Sequence, residues 1–381
     1  MAEYPIISVD DHLVEAKDTW TSRFPVKYLD RAPHVIERDG HDIWVFEGEE
    51  RDVLGITVSG MRERSEEVCE YGGRYADMQP GSYDPVARLA DMDEDSILAM
   101  MCFPSVFGFS GTYLSCVADK ELALLAVQAY NDFVLDEWCG AAPGRYIPLI
   151  KVPLWDGRLA ADEVYRCAEK GARSVAFCED LHSLGLPTIH DPDRPWDPFF
   201  TAVSETNMPL SMHIGSSSTV PRRPPNAPLC VDFSWVYLNA CYSLIEWMHS
   251  GVFERFPLLK AVWSEAQIGW MPYAIEHCDR SWHTHGVWTK HPLPRPPSTY
   301  VRDHVFGTFI DDHFGIQSID ALGVDQVMIE TDYPHPDGTW PHSQKIVTEQ
   351  LGHLPPEDIN KICRGNAERV YGFTPSGLGL R

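Results

Sequence analysis

Six positions spread along the chain carry side chains that bind divalent cations: Asp10, His12, Glu179, His213, Glu265 and Asp332. Each closes a short apolar run, where a buried strand would end. In Ser8-Val-Asp-Asp-His12 the first acid and the imidazole are two residues apart. Alternate residues of a strand share a face, so Asp10 and His12 can reach one ion while Asp11 points away. Glu179 ends Ala176-Phe-Cys-Glu, His213 ends Leu210-Ser-Met-His ahead of Gly215, and Glu265 ends Lys260-Ala-Val-Trp-Ser-Glu. Asp332 follows Val327-Met-Ile-Glu-Thr, with His335 just behind a prolyl turn. A single acid at a strand end is as readily a helix cap. The whole set is harder to account for that way, because burying repeated unpaired carboxylates is costly and one cation offsets several. Two imidazoles with several carboxylates suit Zn²⁺, Mn²⁺ or Fe²⁺, as one ion or two. Glu265, Asp332 and His335 are also the groups expected to move a proton.

The elements that must position these side chains follow from the same runs. Ile6–Asp10, Ile97–Phe103, Tyr146–Val152, Ser174–Glu179, Pro209–Ile214, Lys260–Glu265, His304–Ile310 and Gln326–Thr331 are near-continuous apolar segments. Such segments fit parallel strands covered on both faces. Amphipathic stretches separate them, among them Lys120–Cys139, Leu159–Lys170, Trp196–Thr206 and Trp270–Trp282. The alternation predicts an α/β fold, a (β/α)₈ TIM-type barrel, whose strand ends share one rim. No GxGxxG follows the first strand, which argues against a dinucleotide-binding sheet. Residues 21–90, with a hairpin from His41 to Glu47 continuing to Val58, read as an insertion between strands 1 and 2 of a single domain covering 1–381. Residues 214–234 and 283–303 read as long loops that shape a pocket. His277, His283, His285 and His291 read as solvent-facing, and His182 as the outlying histidine best placed to reach the pocket.

Composition narrows the classes. The formal net charge of -25 disfavours a phosphate backbone, so nucleic acid is not an expected partner. No apolar run is long enough for a membrane span, and Met1-Ala-Glu-Tyr-Pro lacks a secretory pattern, so a cytoplasmic enzyme is expected. Ten scattered cysteines without a CxxC pair fit reduced thiols. The expected partners are a small-molecule substrate and a second copy of the chain in a homodimer.

The motifs together resemble the amidohydrolase superfamily, in its amidohydrolase 2 branch of aromatic-acid decarboxylases and metal-dependent hydrolases. Its carriers are Ser8-Val-Asp-Asp-His-Leu-Val-Glu15, His213-Ile-Gly-Ser216, Phe256-Pro-Leu-Leu-Lys260 with Ser264-Glu265, Glu330-Thr-Asp-Tyr-Pro-His335 and Gly365-Asn-Ala-Glu-Arg369. The resemblance implies a barrel with metal ligands at His12, His213 and Asp332, and with Asp10 at the position preceding the second ligand. Two departures stand out. The family often has HxH on the first strand, where this chain has Asp10 and His12, and often His on the sixth, where this chain has Glu265. The leading expectation is hydrolysis or non-oxidative decarboxylation of a small carboxylate-bearing substrate. The carboxylate-rich inventory keeps an alternative open: a dinuclear non-haem Fe or Fe/Mn monooxygenase with Glu179 and Glu265 as ligands.

Overall fold

The computed structural model describes residues 4–52, 73–217, 221–228, 230–288 and 293–376. Val58 and His291 lie outside them. Eight parallel strands carry the architecture: β1 (Ile6–Leu13), β2 (Ile97–Pro104), β3 (Tyr146–Ile147 and Leu149–Lys151), β4 (Ser174–Ala176), β5 (Leu210–His213), β6 (Ala261–Ser264), β7 (Val305–Phe309) and β8 (Val327–Ile329). Pro148 divides β3, and its two halves pair with β2 on one side and β4 on the other. From β4 the ladder continues in chain order to β8. The ring is completed by backbone bonds from Asp332 N to Asp10 O at 2.9 Å and from His12 N to Tyr333 O at 2.7 Å. The expected barrel is therefore present, with both joined ends lying at the proposed site.

Every residue of β1, β5, β6 and β7 is buried, which explains the near-continuous apolar runs. Inside the barrel, Ile7, Val9, Ala99, Met101, Phe103, Leu149, Val262, Phe306 and Met328 form one cluster, floored by Val370 and Tyr371. Outside it the covering helices are α1 (Pro85–Glu94), α2 (Lys120–Phe133), α3 (Gly157–Glu169), α4 (Asp197–Glu205), α5 (Tyr237–His249), α6 (Met271–His285) and α7 (Ser343–Leu351). Three start on an aspartate: Asp84, Asp119 and Asp156 accept from the first-turn N–H groups of α1, α2 and α3. Residues 34–52 form a three-stranded antiparallel sheet, of which Trp44 and Phe46 join the main core. Helix α1 begins inside the stretch read as insertion, because capping by Asp84 and a proline in the first turn outweigh the polar surroundings.

One of the sequence's expectations shifts in detail, and one helix was not expected. The stretch Lys120–Cys139 divides into α2 and a wider turn over Val134–Trp138. Helix α7 has no counterpart in the apolar pattern, since only Ser343, Val347, Gln350 and Leu351 of it are buried. Among the described residues every cysteine is free, and no helix is long and apolar enough to cross a membrane.

Candidate metal centre

The site is built at the C-terminal ends of β1, β5, β6 and β8, and a β-bulge in β1 decides which of its acids enters. Ser8 pairs with Met100 and Asp11 with Cys102, so Val9 and Asp10 together oppose Met101 alone. One extra residue reverses the alternation. Ile7 and Val9 point into the barrel below the bulge, and Asp10 and His12 converge on the site above it. Asp11 turns toward β8, accepting from Thr331 Oγ1 at 2.6 Å and Tyr333 N at 3.0 Å.

Two overlapping groups of donor atoms result, with all atoms of each group within 4.8 Å of one another: Asp10, His12 and His213, and His12, Glu265, Asp332 and His335. The His12 Nε2 atom is common ground, 3.2 Å from His213 Nε2, 3.3 Å from Asp332 Oδ1, 3.6 Å from Asp10 Oδ1 and 3.9 Å from Glu265 Oε2. His213 Nε2 lies 2.6 Å from Glu265 Oε2. His213 Nδ1 donates to the Ile214 carbonyl at 2.5 Å, so Nε2 is left facing His12 and the acids. His335 stacks on His12 with ring centres 3.7 Å apart, and its Nδ1 is 2.8 Å from Asp332 Oδ1.

Despite these approaches, both oxygens of Asp10, both of Asp332, Glu265 Oε2 and His335 Nε2 make no aligned hydrogen bond, and all are buried. Apart from the close approaches of His213 to Glu265 and of His335 to Asp332, the donors crowd a shared space without satisfying one another. Buried polar atoms are normally satisfied, so this pattern calls for a cation. By that test the residues fit one.

The backbone supports the arrangement. Glu265 and Asp332 have left-handed φ of 57° and 52°, a conformation costing about 1 kcal/mol or more for a residue with a Cβ. The turn after Glu265 is held by Asp312, whose Oδ2 accepts from Ile268 N at 2.8 Å and Gly269 N at 2.7 Å. Glu330, the first residue beyond β8 and two before Asp332, receives the Thr308 hydroxyl and, at 3.1 Å, the Glu265 N–H. The sequence reading passed over Glu330, although the two-residue spacing that flagged Asp10 with His12 applies to it equally. It also passed over Arg88, which is fully buried, donates to the His12 carbonyl at 2.5 Å and lies 4.0 Å over the Tyr333 ring. No local pattern marks that arginine, since its partners are far apart in sequence.

Glu179 departs from expectation. It belongs to neither donor group. Its Oε1 accepts from Ser217 Oγ at 3.2 Å and Asn239 Nδ2 at 3.3 Å, and the residue lines a small cavity with His182, Thr188 and Glu246. Strand β4 ends at Ala176, so Glu179 lies beyond it, where the chain no longer keeps the strand's alternation. The dinuclear oxygenase alternative relied on Glu179 as a ligand, and this geometry removes that support. His182 is exposed and lines that cavity with Glu179, and it belongs to neither donor group. His277, His283 and His285 are exposed, as expected.

Crowded acids perturb one another. Burial, then Glu330, Glu265 and Asp332, push Asp10 well above the ordinary carboxylate range. Burial, then Glu265 and Glu330, do the same to Asp332. Burial pushes Glu330 up to about 8 and Glu179 up to about 7. Burial also acts upward on Glu265, but His213 outweighs it and holds this acid below its usual range. Burial, then His335 and His213, hold His12 well below the usual imidazole value.

These shifts have a sign. An acid raised by folding binds its proton more tightly folded than unfolded, so its contribution falls as pH rises toward the folded value. The depressed His12 acts oppositely below its ordinary value of 6.5, and Lys151, lowered by burial to about 8, acts oppositely above 8. Between about pH 6.5 and 8 the raised acids dominate. The cation-free protein is therefore expected to lose Tm across that window, and saturating Mn²⁺ to flatten the slope. Calorimetry on both forms checks this; a cation-free Tm that climbs through the window contradicts it.

An eight-stranded barrel with buried imidazoles and carboxylates converging at its C-terminal rim defines the class of metal-dependent barrel enzymes. The model of the amidohydrolase family matches residues 18–373, and the chain belongs to that family. It is 26% identical over 305 residues to a gamma-resorcylate decarboxylase of Polaromonas sp., covering 74% of this chain and 86% of the relative. Among solved structures, an amidohydrolase from Mycobacterium avium subsp. paratuberculosis is similar with a TM-score of 0.75 at 22% identity, over 98% of this chain and 100% of the other. The 5-carboxyvanillate decarboxylase from Novosphingobium aromaticivorans, complexed with manganese and a nitrobenzoic acid, has a TM-score of 0.68 at 17% identity over 97% and 96% of the two chains.

Proposed function

We propose that this protein is a divalent-metal-dependent decarboxylase that releases CO₂ from a hydroxylated aromatic carboxylate without an oxidant. The observation that carries the reading is the set of buried, convergent atoms that make no aligned hydrogen bond: both oxygens of Asp10 and of Asp332, Glu265 Oε2 and His335 Nε2. The reaction type draws on the gamma-resorcylate relative, and the choice of Mn²⁺ on the manganese-containing decarboxylase.

In this reading Asp10, His12, His213 and Asp332 would hold the ion. When bound, the ion supplies positive charge that attracts and orients a carboxylate. Glu265 and His335 do the acid–base work. Glu265 is the most open acid of the group, its side chain 16% exposed against 0% for Asp332. His213 holds Glu265 below its usual range, and a substrate carboxylate arriving beside it, a like charge, would favour its protonated form. Glu265 then hands its proton to the ring carbon bearing the carboxylate. The bond from that carbon to the carboxylate breaks, its electron pair restores the ring, and CO₂ departs. Glu265 regains a proton from solvent, so each turnover consumes one proton. His335, fixed through Nδ1 by Asp332, presents Nε2 to the same space.

The test is CO₂ release from a panel of hydroxybenzoates by Mn²⁺-loaded protein under nitrogen. Stoichiometric CO₂ and arene are expected without oxygen, with activity abolished by chelation and restored by Mn²⁺. Oxygen uptake on turnover, or hydrolysis of an amide or lactone without CO₂, defeats the proposal.

A further inference from the structure

The loop after β2 brings an apolar ring to the metal centre. The Phe109 ring centre lies 4.0 Å from that of His213 and 5.0 Å from that of His12, and the side chain is only half-buried. Two residues earlier, Phe107 faces the other way and is buried against Trp20, Tyr113 and Phe46, with ring centres 4.8, 5.4 and 5.6 Å away. One aromatic thus anchors the loop while the other meets the imidazoles.

The loop is fixed at both ends. The Ser110 hydroxyl, at 3.0 Å, and the Thr112 hydroxyl both donate to the Ser216 carbonyl, tying it to the segment that follows His213. At its start, Glu15 Oε2 accepts from Ser105 N at 3.3 Å and Val106 N at 3.0 Å. Glu15 is itself paired with the buried Lys151 ammonium at 3.5 Å, which lies 4.0 Å over the Tyr130 ring. A buried ion pair of this kind is costly to assemble, and here it holds the carboxylate that receives the N–H groups at the start of the loop. Gly111 permits the exit turn, with φ of +76° and a hypothetical Cβ only 3.4 Å from the Lys151 side chain.

We infer that Phe109 is a specificity-determining residue: its ring is the platform on which a planar substrate ring lies while the substrate carboxylate faces the metal centre. The inference rests on the decarboxylase reading of the site. The physical argument is that a rigid, partly open aromatic face beside polar donors offers offset or edge contacts to a flat ring, and offers much less to a puckered saturated one.

The experiment measures competitive binding of benzoate-type ligands and their cyclohexanecarboxylate counterparts to Mn²⁺-loaded wild type, Phe109→Ala, Phe109→Leu and Phe109→Trp, by calorimetry. Wild type is expected to favour the aromatic acid by about tenfold. Phe109→Leu, which keeps an apolar side chain and the fold, should erase most of that preference, and Phe109→Trp should retain it. Mn²⁺ affinity should stay within about threefold in both. A Phe109→Leu protein that binds Mn²⁺ and keeps the full aromatic preference overturns the inference. Should Phe109→Ala fail to fold, the Leu and Trp variants still decide. Because the readout is binding, a protein that prefers flat rings yet releases no CO₂ leaves the platform standing and removes only the decarboxylase reading.

Discussion

Asp332→Asn is expected to lower Mn²⁺ affinity by at least about 100-fold, since even residues that merely orient metal ligands cost 10- to 100-fold when changed. Turnover should fall by on the order of 10³ at any attainable Mn²⁺ concentration. The substitution keeps shape and removes one negative charge from a buried carboxyl whose two oxygens make no aligned hydrogen bond. It also weakens the contact that fixes His335 Nδ1 at 2.8 Å, so the stacked His335 and His12 rings lose their alignment. The fold should persist: Asp332 N still bonds to Asp10 O across the seam between β1 and β8. The cation-free variant should even gain stability at neutral pH, because a raised, crowded acid has been neutralised. Metal titration followed by electron paramagnetic resonance, with a melting curve on the same sample, checks both halves. Unchanged Mn²⁺ binding in a folded variant would falsify the assignment of Asp332 as a ligand.

Glu265→Gln should separate the proton-handling role from the metal-holding one. Metal affinity is expected to stay within about tenfold of wild type, while kcat falls by about 10²- to 10⁴-fold, the usual range for loss of a positioned acid–base group. KM should change little. The limb of the pH–rate profile that reports this carboxyl should vanish with it, which a merely structural effect would not produce. A Gln at this position keeps the backbone N–H bonded to Glu330 and leaves the Asp312 clamp on the following turn intact. Loss of Mn²⁺ binding equal to that of Asp332→Asn would make Glu265 a ligand instead and move the acid–base role to His335.

The order of elements was readable from the chain because its signals are local. Buried parallel strands show as apolar runs, and all eight expected runs overlap the observed strands. The residue types suited to a cation were equally plain, as was the pairing of Asp10 with His12 two positions apart. Other features depend on partners remote in sequence. The bulge that admits Asp10 and turns Asp11 aside exists only in the register between β1 and β2. Glu179 sits past the end of its strand, and no apolar pattern says where a strand stops holding its alternation. Phe109 looks like any core aromatic until the Ser216 carbonyl ties its loop against His213. Sequence by itself determined the strand order and the chemical character of the site, since periodicity and side-chain chemistry act over a few residues. Tertiary structure alone decided which acids face the ion and what stands beside it, because those depend on hydrogen-bond register and packing between strands distant along the chain.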